Sequence, residues 1–208
     1  IRRVLIVHGL WLTGAETVLL RRRLGAQGFE STLFRYPSRH GSPGSLLERL
    51  GREAAALGGP FHAIGHSLGG VLLLRLLEQC PALPLARCVL LGAPVRGSRA
   101  ARRLAALPFG PAMMGPLAIA ELTSDRHVSW CGRAEIGVIA GTLSVGLGRL
   151  IADLPVPNDG VVAVEETRIA GAADCIELRV AHTGMLVSTA VARVSARYLA
   201  TGAFGPRD

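Results

Sequence analysis

The stretch that decides the fold is Phe61-His62-Ala63-Ile64-Gly65-His66-Ser67-Leu68-Gly69-Gly70-Val71-Leu72-Leu73-Leu74. Residues 61–66 read as a buried strand. From Leu68 to Leu77 the chain is apolar almost all round, interrupted only by Gly69, Gly70 and Arg75, as expected of a helix buried against a sheet. Between the two stands Gly65-x-Ser67-x-Gly69. A serine on so sharp a strand-to-helix turn is held in a strained backbone conformation, and the residues two before and two after it must lack side chains for strand and helix to approach. The turn lifts the hydroxyl above the carboxyl end of the strand. There the free N–H groups and partial positive charge of the helix start favour a developing anion. Ser67 is therefore read as a nucleophile and not as part of a simple glycine-rich turn.

Outward from this stretch, short aliphatic runs alternate with longer segments of helical period. Strands are expected at 3–7, 30–35, 61–66, 87–92, 135–140 and 175–181, and helices at about 15–26, 44–57, 68–79, 97–106 and 185–200. That alternation predicts an α/β fold: a mostly parallel sheet of about six strands with helices on both faces. In the last helix Val187, Val191, Val194 and Tyr198 share a face that should dock on the sheet, leaving Arg193 and Arg197 in water. The stretch Pro108–Trp130 breaks the pattern, because Pro108, Pro111 and Pro116 bar a continuous helix. A long connection of that kind is usually functional, and residues 108–130 are read as a short lid on a single domain spanning 1–208.

A chain of 208 residues can bury one core without disulfides or metals. Its net charge of +8 comes from arginine alone, for there is no lysine. Basic proteins attract nucleic acids, yet the arginines are scattered and aromatic residues make up only 4% of the chain, so neither a basic stripe nor a stacking platform is visible and no nucleic-acid partner is expected. The four cysteines, Cys80, Cys88, Cys131 and Cys175, lie far apart with no C-x-x-C pair, which speaks against a zinc site. Cys88 and Cys175, inside strand-like runs, are expected as buried thiols. No cofactor or metal is implied. No apolar run reaches the roughly 18 residues that a membrane span needs, and the opening Ile1-Arg2-Arg3-Val4-Leu5-Ile6-Val7 is strand-like and unlike a secretory signal; the expected compartment is the cytoplasm.

A serine hydroxyl needs a base within reach and a carboxylate to orient that base. Where the serine sits on such a turn, the chain order is serine, acid, histidine. Only His127 and His182 follow Ser67 among the six histidines. His182 comes directly after the last expected strand and is taken as the base; His127 falls in the lid segment and reads as a surface residue. Asp159, in Pro157-Asn158-Asp159-Gly160-Val161-Val162, has turn chemistry on both sides and precedes His182 by 23 residues, so it is preferred as the acid over Asp153, with Asp125 and Asp174 suiting solvated turns. The first strand ends in His8-Gly9-Leu10-Trp11. The backbone N–H groups of Leu10 and Leu68 are the expected oxyanion donors.

The set Val7-His8-Gly9-Leu10, Gly65-His66-Ser67-Leu68-Gly69-Gly70, Gly92-Ala93-Pro94 with Gly97-Ser98, Asn158-Asp159-Gly160-Val161-Val162 and His182-Thr183-Gly184-Met185 resembles bacterial lipases and esterases of the α/β-hydrolase superfamily, and is similar to lipase-like relatives of the inositol-deacylase group. The resemblance runs from residue 4 to about residue 200. It implies carboxylic-ester hydrolysis through an acyl-enzyme. The antiparallel strands that usually precede the first parallel strand have no counterpart. No large cap domain fits in the 42 residues from Ala93 to Ala134, and no carboxylate cluster matches the calcium that some of these lipases hold.

Ser67, Asp159 and His182 are thus expected to cleave a small-molecule or lipid ester, with peripheral lipid contact compatible with the composition. Trp11, Met113, Met114 and Leu117, with Ile119, either line an acyl cleft or, for the methionines and aliphatics, pack the lid onto the body. Arg96, Arg99 and Arg103 have a spacing that suits one helix face, read either as a solvated face or as an anion site. A thioesterase or acyltransferase would use the same residues, and a non-catalytic binding protein of the same fold is the reading from another class.

Overall fold

Strands whose residues are apolar at every position need cover on both faces, and the computed structural model, which describes residues 1–146 and 148–205, shows how this chain supplies it. The elements are β1 (Arg3–Val7), α1 (Val18–Ala26), β2 (Glu30–Phe34), α2 (Pro43–Ala56), β3 (Phe61–His66), α3 (Leu68–Gln79), β4 (Leu85–Leu91), α4 (Arg99–Ala105), α5 (Gly110–Leu122), β5 (Glu135–Gly141), the one-turn α6 (Gly148–Ile151), β6 (Asp174–Leu178) and α7 (Thr189–Thr201). The strands form one parallel sheet of six in the order β2-β1-β3-β4-β5-β6. Alternate residues point to opposite faces: Leu5, Val7, Phe61, Ala63, Cys88, Leu90, Ile136 and Val138 meet α2, α3 and α5, while Val4, Ile6, Ile64, Val89, Leu91 and Ile139 meet α1 and α7.

The chain leaves β1 toward β2 on one side and returns to place β3 on the other, with Val7 beside Gly65. Ligand crevices in open parallel sheets form at such a reversal, outside the carboxyl ends of the strands. Both glycine-bearing turns read from the sequence open there.

Local chemistry starts and stops the helices. Ser42, Ser98 and Ser188 cap α2, α4 and α7, each hydroxyl accepting from the backbone N–H three residues on, at 3.3, 3.1 and 3.3 Å. Pro43 sits at the first turn of α2, and Gly202, with φ 80°, ends α7. The expected helix 15–26 is a 3₁₀ turn, Ala15–Thr17, leading into α1, and the expected helix 185–200 is likewise divided into a 3₁₀ turn, Thr183–Leu186, and α7. Val187 falls in the joint between them and is half exposed, whereas Val191 and Tyr198 are fully buried.

Two further expectations are corrected. Residues 108–130 are more helical than the prolines suggest: α5 runs on both sides of a break at Gly115, with φ 78° and ψ 163°, followed by Pro116. Met114 and Leu117 lie fully buried in the core with α3, Ile119 packs against it, and Glu121 pairs with Arg75 at 3.2 Å, so the second half of α5 is part of the body. Cys175 is exposed, because β6 is the edge strand and its outer positions lack a covering helix; Cys88 is buried as expected.

The helix α3 approaches the sheet through its glycines. A Cβ on Gly69 would stand 2.2 Å from the Val7 carbonyl oxygen and 2.5 Å from that of His8, and one on Gly65 would stand 2.4 Å from the Gly70 Cα. These neighbours are backbone atoms that cannot swing away. Gly69→Ala should therefore lower stability by at least ~3 kcal/mol or abolish folding. Gly25→Ala, at an exposed site in α1 with open space around it, should instead raise stability by about 0.5 kcal/mol. Denaturant midpoints of the two variants check the contrast.

Candidate active site

Ser67 caps α3 with φ 53° and ψ −123°, a backbone conformation that side-chain-bearing residues rarely adopt. The strain persists because both neighbours are fixed: the Ser67 N–H donates to the Leu91 carbonyl at 2.9 Å, and its own carbonyl accepts from Gly70 N–H at 2.9 Å. The end of β1 lies directly alongside. A Cβ on Gly9 would come within 3.1 Å of the Ser67 Cβ.

Asp159 and His182 are brought together by loops after β5 and β6. The His182 Nδ1–H donates to Asp159 Oδ2 at 2.7 Å, while Asp159 Oδ1 accepts from the N–H groups of Val161 and Val162 at 2.9 and 2.7 Å. The carboxylate side chain is 1% exposed and the imidazole side chain 8%. Accepting three hydrogen bonds offsets much of the cost of burying the charge, and binding Nδ1 leaves Nε2 as the free, basic nitrogen. The turn that carries Asp159 is itself held: the Asn158 amide donates to the Pro155 carbonyl at 3.1 Å and its Oδ1 accepts from Gly160 N–H at 3.0 Å. Gly160, at φ 91°, would bring a Cβ within 2.3 Å of the Val145 backbone.

His66 ties the serine turn to the histidine. Its Nε2 lies 3.1 Å from the His182 carbonyl oxygen, which can only accept, so Nε2 carries the proton; the two rings are 4.8 Å apart. With His182 N–H donating to the Asp159 carbonyl at 3.0 Å, His182 is pinned through both its N–H and its carbonyl. Among the described residues the Ser67 hydroxyl makes no hydrogen bond to His182.

Of the candidate oxyanion donors, Leu68 N–H opens α3 and Leu10 N–H belongs to the loop beside Ser67. Neither is engaged by another group among the described residues. The loop that carries Leu10 has anchors that the sequence did not reveal. The Tyr36 hydroxyl donates to the His8 carbonyl at 2.7 Å, its ring stacks on His8 at 4.3 Å, and the Ser38 hydroxyl accepts from Trp11 N–H at 3.0 Å. Trp11 itself sits at φ 61°, and its indole N–H donates to the Met113 carbonyl at 2.9 Å.

Trp11 and Met113 are half exposed near this loop, whereas Met114 and Leu117 are buried and present no free surface for a substrate. His127 is exposed, as read. Arg96 precedes α4 and so does not share a helix face with Arg99 and Arg103; Arg99 pairs with Glu165 at 3.0 Å and Arg102 with Asp125 at 2.7 Å, which neutralises much of that cluster. Among the described residues no group of three or more histidine, cysteine or acidic side chains is placed to hold a metal. Likewise, no helix among them is long and apolar enough to cross a membrane.

The model of the alpha/beta hydrolase family matches residues 4–203. The chain belongs to the alpha/beta hydrolase family. No curated protein matches its sequence. Among solved structures, this hydrolase is similar to the mature Bacillus licheniformis lipase BlEst2, with 16% identity and a TM-score of 0.70 over 96% of this chain and 91% of the lipase. It is similar to the pyrethroid hydrolase PytH, at 14% identity and TM-score 0.65 over 96% and 98% of the two chains. Phospholipase PlaB from Legionella pneumophila gives 17% identity and TM-score 0.64 over 95% of this chain and 56% of that one. At such identities the likeness is one of fold.

Burial lowers the His66 pKa from 6.5 to about 3, with the neighbouring His182 adding to the shift. A group whose pKa falls on folding is protonated more readily in the unfolded chain. Stability of this hydrolase should therefore be unaffected by His66 above pH 6.5 and should fall as the pH drops from 6.5 toward 3, by up to about 1.4 kcal/mol per unit. In His66→Gln, whose amide keeps a donor for the His182 carbonyl, that part of the slope should vanish. Urea unfolding at a series of pH values checks it.

Proposed function

We propose that this hydrolase cleaves carboxylic esters through an acyl-enzyme on Ser67. The observation that carries the reading is the buried Asp159–His182 pair, with its 2.7 Å hydrogen bond and free Nε2, held by His66 next to the strained serine. In the reaction His182 takes the proton from Ser67 as the hydroxyl oxygen attacks the ester carbonyl. The Leu10 and Leu68 N–H groups receive the oxyanion, and His182 then protonates the departing alcohol. Water, deprotonated by the same imidazole, releases the acid and regenerates the serine. The absent Ser67–His182 hydrogen bond does not count against the scheme, since such contacts are often long in unliganded enzymes and tighten on substrate. Trp11 and Met113 form the rim of the substrate path. The half-exposed Leu107 and strongly exposed Phe109, just before α5, are apolar surface suited to lipid contact.

Hydrolysis of p-nitrophenyl esters of graded acyl length is the test. Ser67→Ala should lower kcat by on the order of 10⁶ and Asp159→Asn by about 10⁴, and a fluorophosphonate should label Ser67. Labelling without ester turnover would move the reading to thioesters or acyl acceptors. Failure to label would overturn it.

If Tyr36 and Ser38 hold the oxyanion loop in place, Ser38→Ala and Tyr36→Phe should each lower kcat about 10-fold, the value of one lost hydrogen bond, with KM little changed. Ser38→Thr, which keeps the hydroxyl, should restore most of the loss. A purely structural role would lower melting temperature without this split.

A further inference from the structure

Beside the oxyanion loop lies an open cleft of about 460 Å³, lined by Trp11, Leu12 and Thr13 on one side and residues 35–40 on the other. Its size is in the range of small-ligand sites. Along residues 35–39 burial alternates, up to a turn in which His40 N–H donates to the Pro37 carbonyl at 3.0 Å: Tyr36 and Ser38 are buried and anchor the loop, while Arg35, Pro37 and Arg39 are exposed. Arg35 and Arg39 make one wall of the cleft cationic, His40 completes it, and no carboxylate lines it.

The charges on this wall are not spent elsewhere. Among the described residues the Arg35 guanidinium has no hydrogen bond or ion pair, and Arg39 commits only one Nη2 contact, to the Ala112 carbonyl at 3.2 Å. Glu16, the acid on the adjoining turn, is occupied by Thr13 N–H at 3.2 Å and Gly14 N–H at 3.0 Å. The arginines near α4 contrast with this, since Arg99 and Arg102 carry acidic partners. A larger cavity of about 690 Å³ against β5 and β6 contains no residue of the candidate triad and does not adjoin the loop.

We infer that the cleft formed by Trp11, Arg35, Arg39 and His40 is a subsite for an anionic group, so that the substrate is an ester carrying a phosphate or carboxylate. The inference rests on the ester-hydrolase reading for what is cleaved, though not for what is bound. Leu10, whose N–H would take the carbonyl oxygen, is followed directly by Trp11, which lines the cleft, so the subsite adjoins the oxyanion loop. Arginine suits this role because its planar donors match both phosphate and carboxylate oxygens. The net charge of +8 draws such substrates from a distance.

The experiment has a binding arm and a kinetic arm, both on the full chain. Phenyl phosphate and benzoate are titrated while Trp11 fluorescence is followed, with Trp11→Phe as the control that removes the signal and benzyl alcohol as the neutral probe. Saturable binding of either anion is expected, weakened at least 10-fold by Arg35→Gln and by high salt; the tighter anion identifies the group. Equal binding of benzyl alcohol, or indifference to Arg35→Gln, overturns the inference. In the kinetic arm, mono-p-nitrophenyl glutarate should exceed p-nitrophenyl butyrate in kcat/KM, and Arg35→Gln should lower that ratio. Anion binding without turnover of either ester would sink the ester-hydrolase reading alone. Turnover of both without a charge preference would sink this inference alone.

Discussion

The contact on which the rest of the structure depends is between backbones: the first turn of α3 lies against the end of β1, with Gly69 facing the Val7 and His8 carbonyls and Gly65 facing Gly70. Dispersion between such atoms is small per pair, but no side chain of any size fits between them. The consequence is that the serine turn and the loop Gly9-Leu10-Trp11 form a single rigid unit. Ser67 can keep its unfavourable φ of 53° only because that unit over-determines it, with Leu91 holding its N–H and Gly70 holding its carbonyl. Strain at Trp11, φ 61°, is kept in the same way by Ser38 and Met113.

A second closed set of hydrogen bonds fixes the imidazole. Asp159 receives His182 through both its carboxylate and its carbonyl, and His66 reaches across from β3 to the His182 carbonyl. A flexible loop would leave the ring free to rotate; here its orientation follows from three elements that are far apart in sequence. The burial that makes the arrangement stiff also keeps His66 neutral, and the His182 carbonyl, which can only accept, places its one ring proton on Nε2. His66 is itself buried and reaches His182 through the backbone carbonyl.

The sequence made the parallel sheet and its strand positions legible, because buried strands and amphipathic helices leave different periods, and the six strands lie within a few residues of where the periods put them. The pairing of Asp159 with His182 was legible from turn chemistry and chain order, and the structure brings those two side chains together. With prolines hiding the helical period of 108–130, the sequence could not show which of its apolar residues are core: Met113 and Met114 are identical in type and adjacent, yet one is half exposed and the other fully buried, as neighbouring positions on one helix point about 100° apart. Cys175 was misjudged for a related reason, since a strand's run of residues does not say whether it lies at the edge of the sheet. The roles of Tyr36, Ser38 and His66 were not legible, because each works through contacts with residues distant in sequence, to the His8 carbonyl and ring, the Trp11 N–H and the His182 carbonyl.

Residues 35–39 show how one geometric rule couples positioning to recognition. With Tyr36 and Ser38 held inward against His8 and Trp11, and the chain turning at Pro37–His40, Arg35, Pro37 and Arg39 are left on the exposed side. The inward pair needs hydroxyls that reach backbone atoms of the β1 loop; the outward set is then free to carry charge beside the same loop. A slip of one residue would exchange the two sets, burying guanidinium groups without partners and removing both anchors at once. The desolvation cost of burying an unpaired charge thus protects the register that holds the loop, and the cations beside the site help to keep that loop in place.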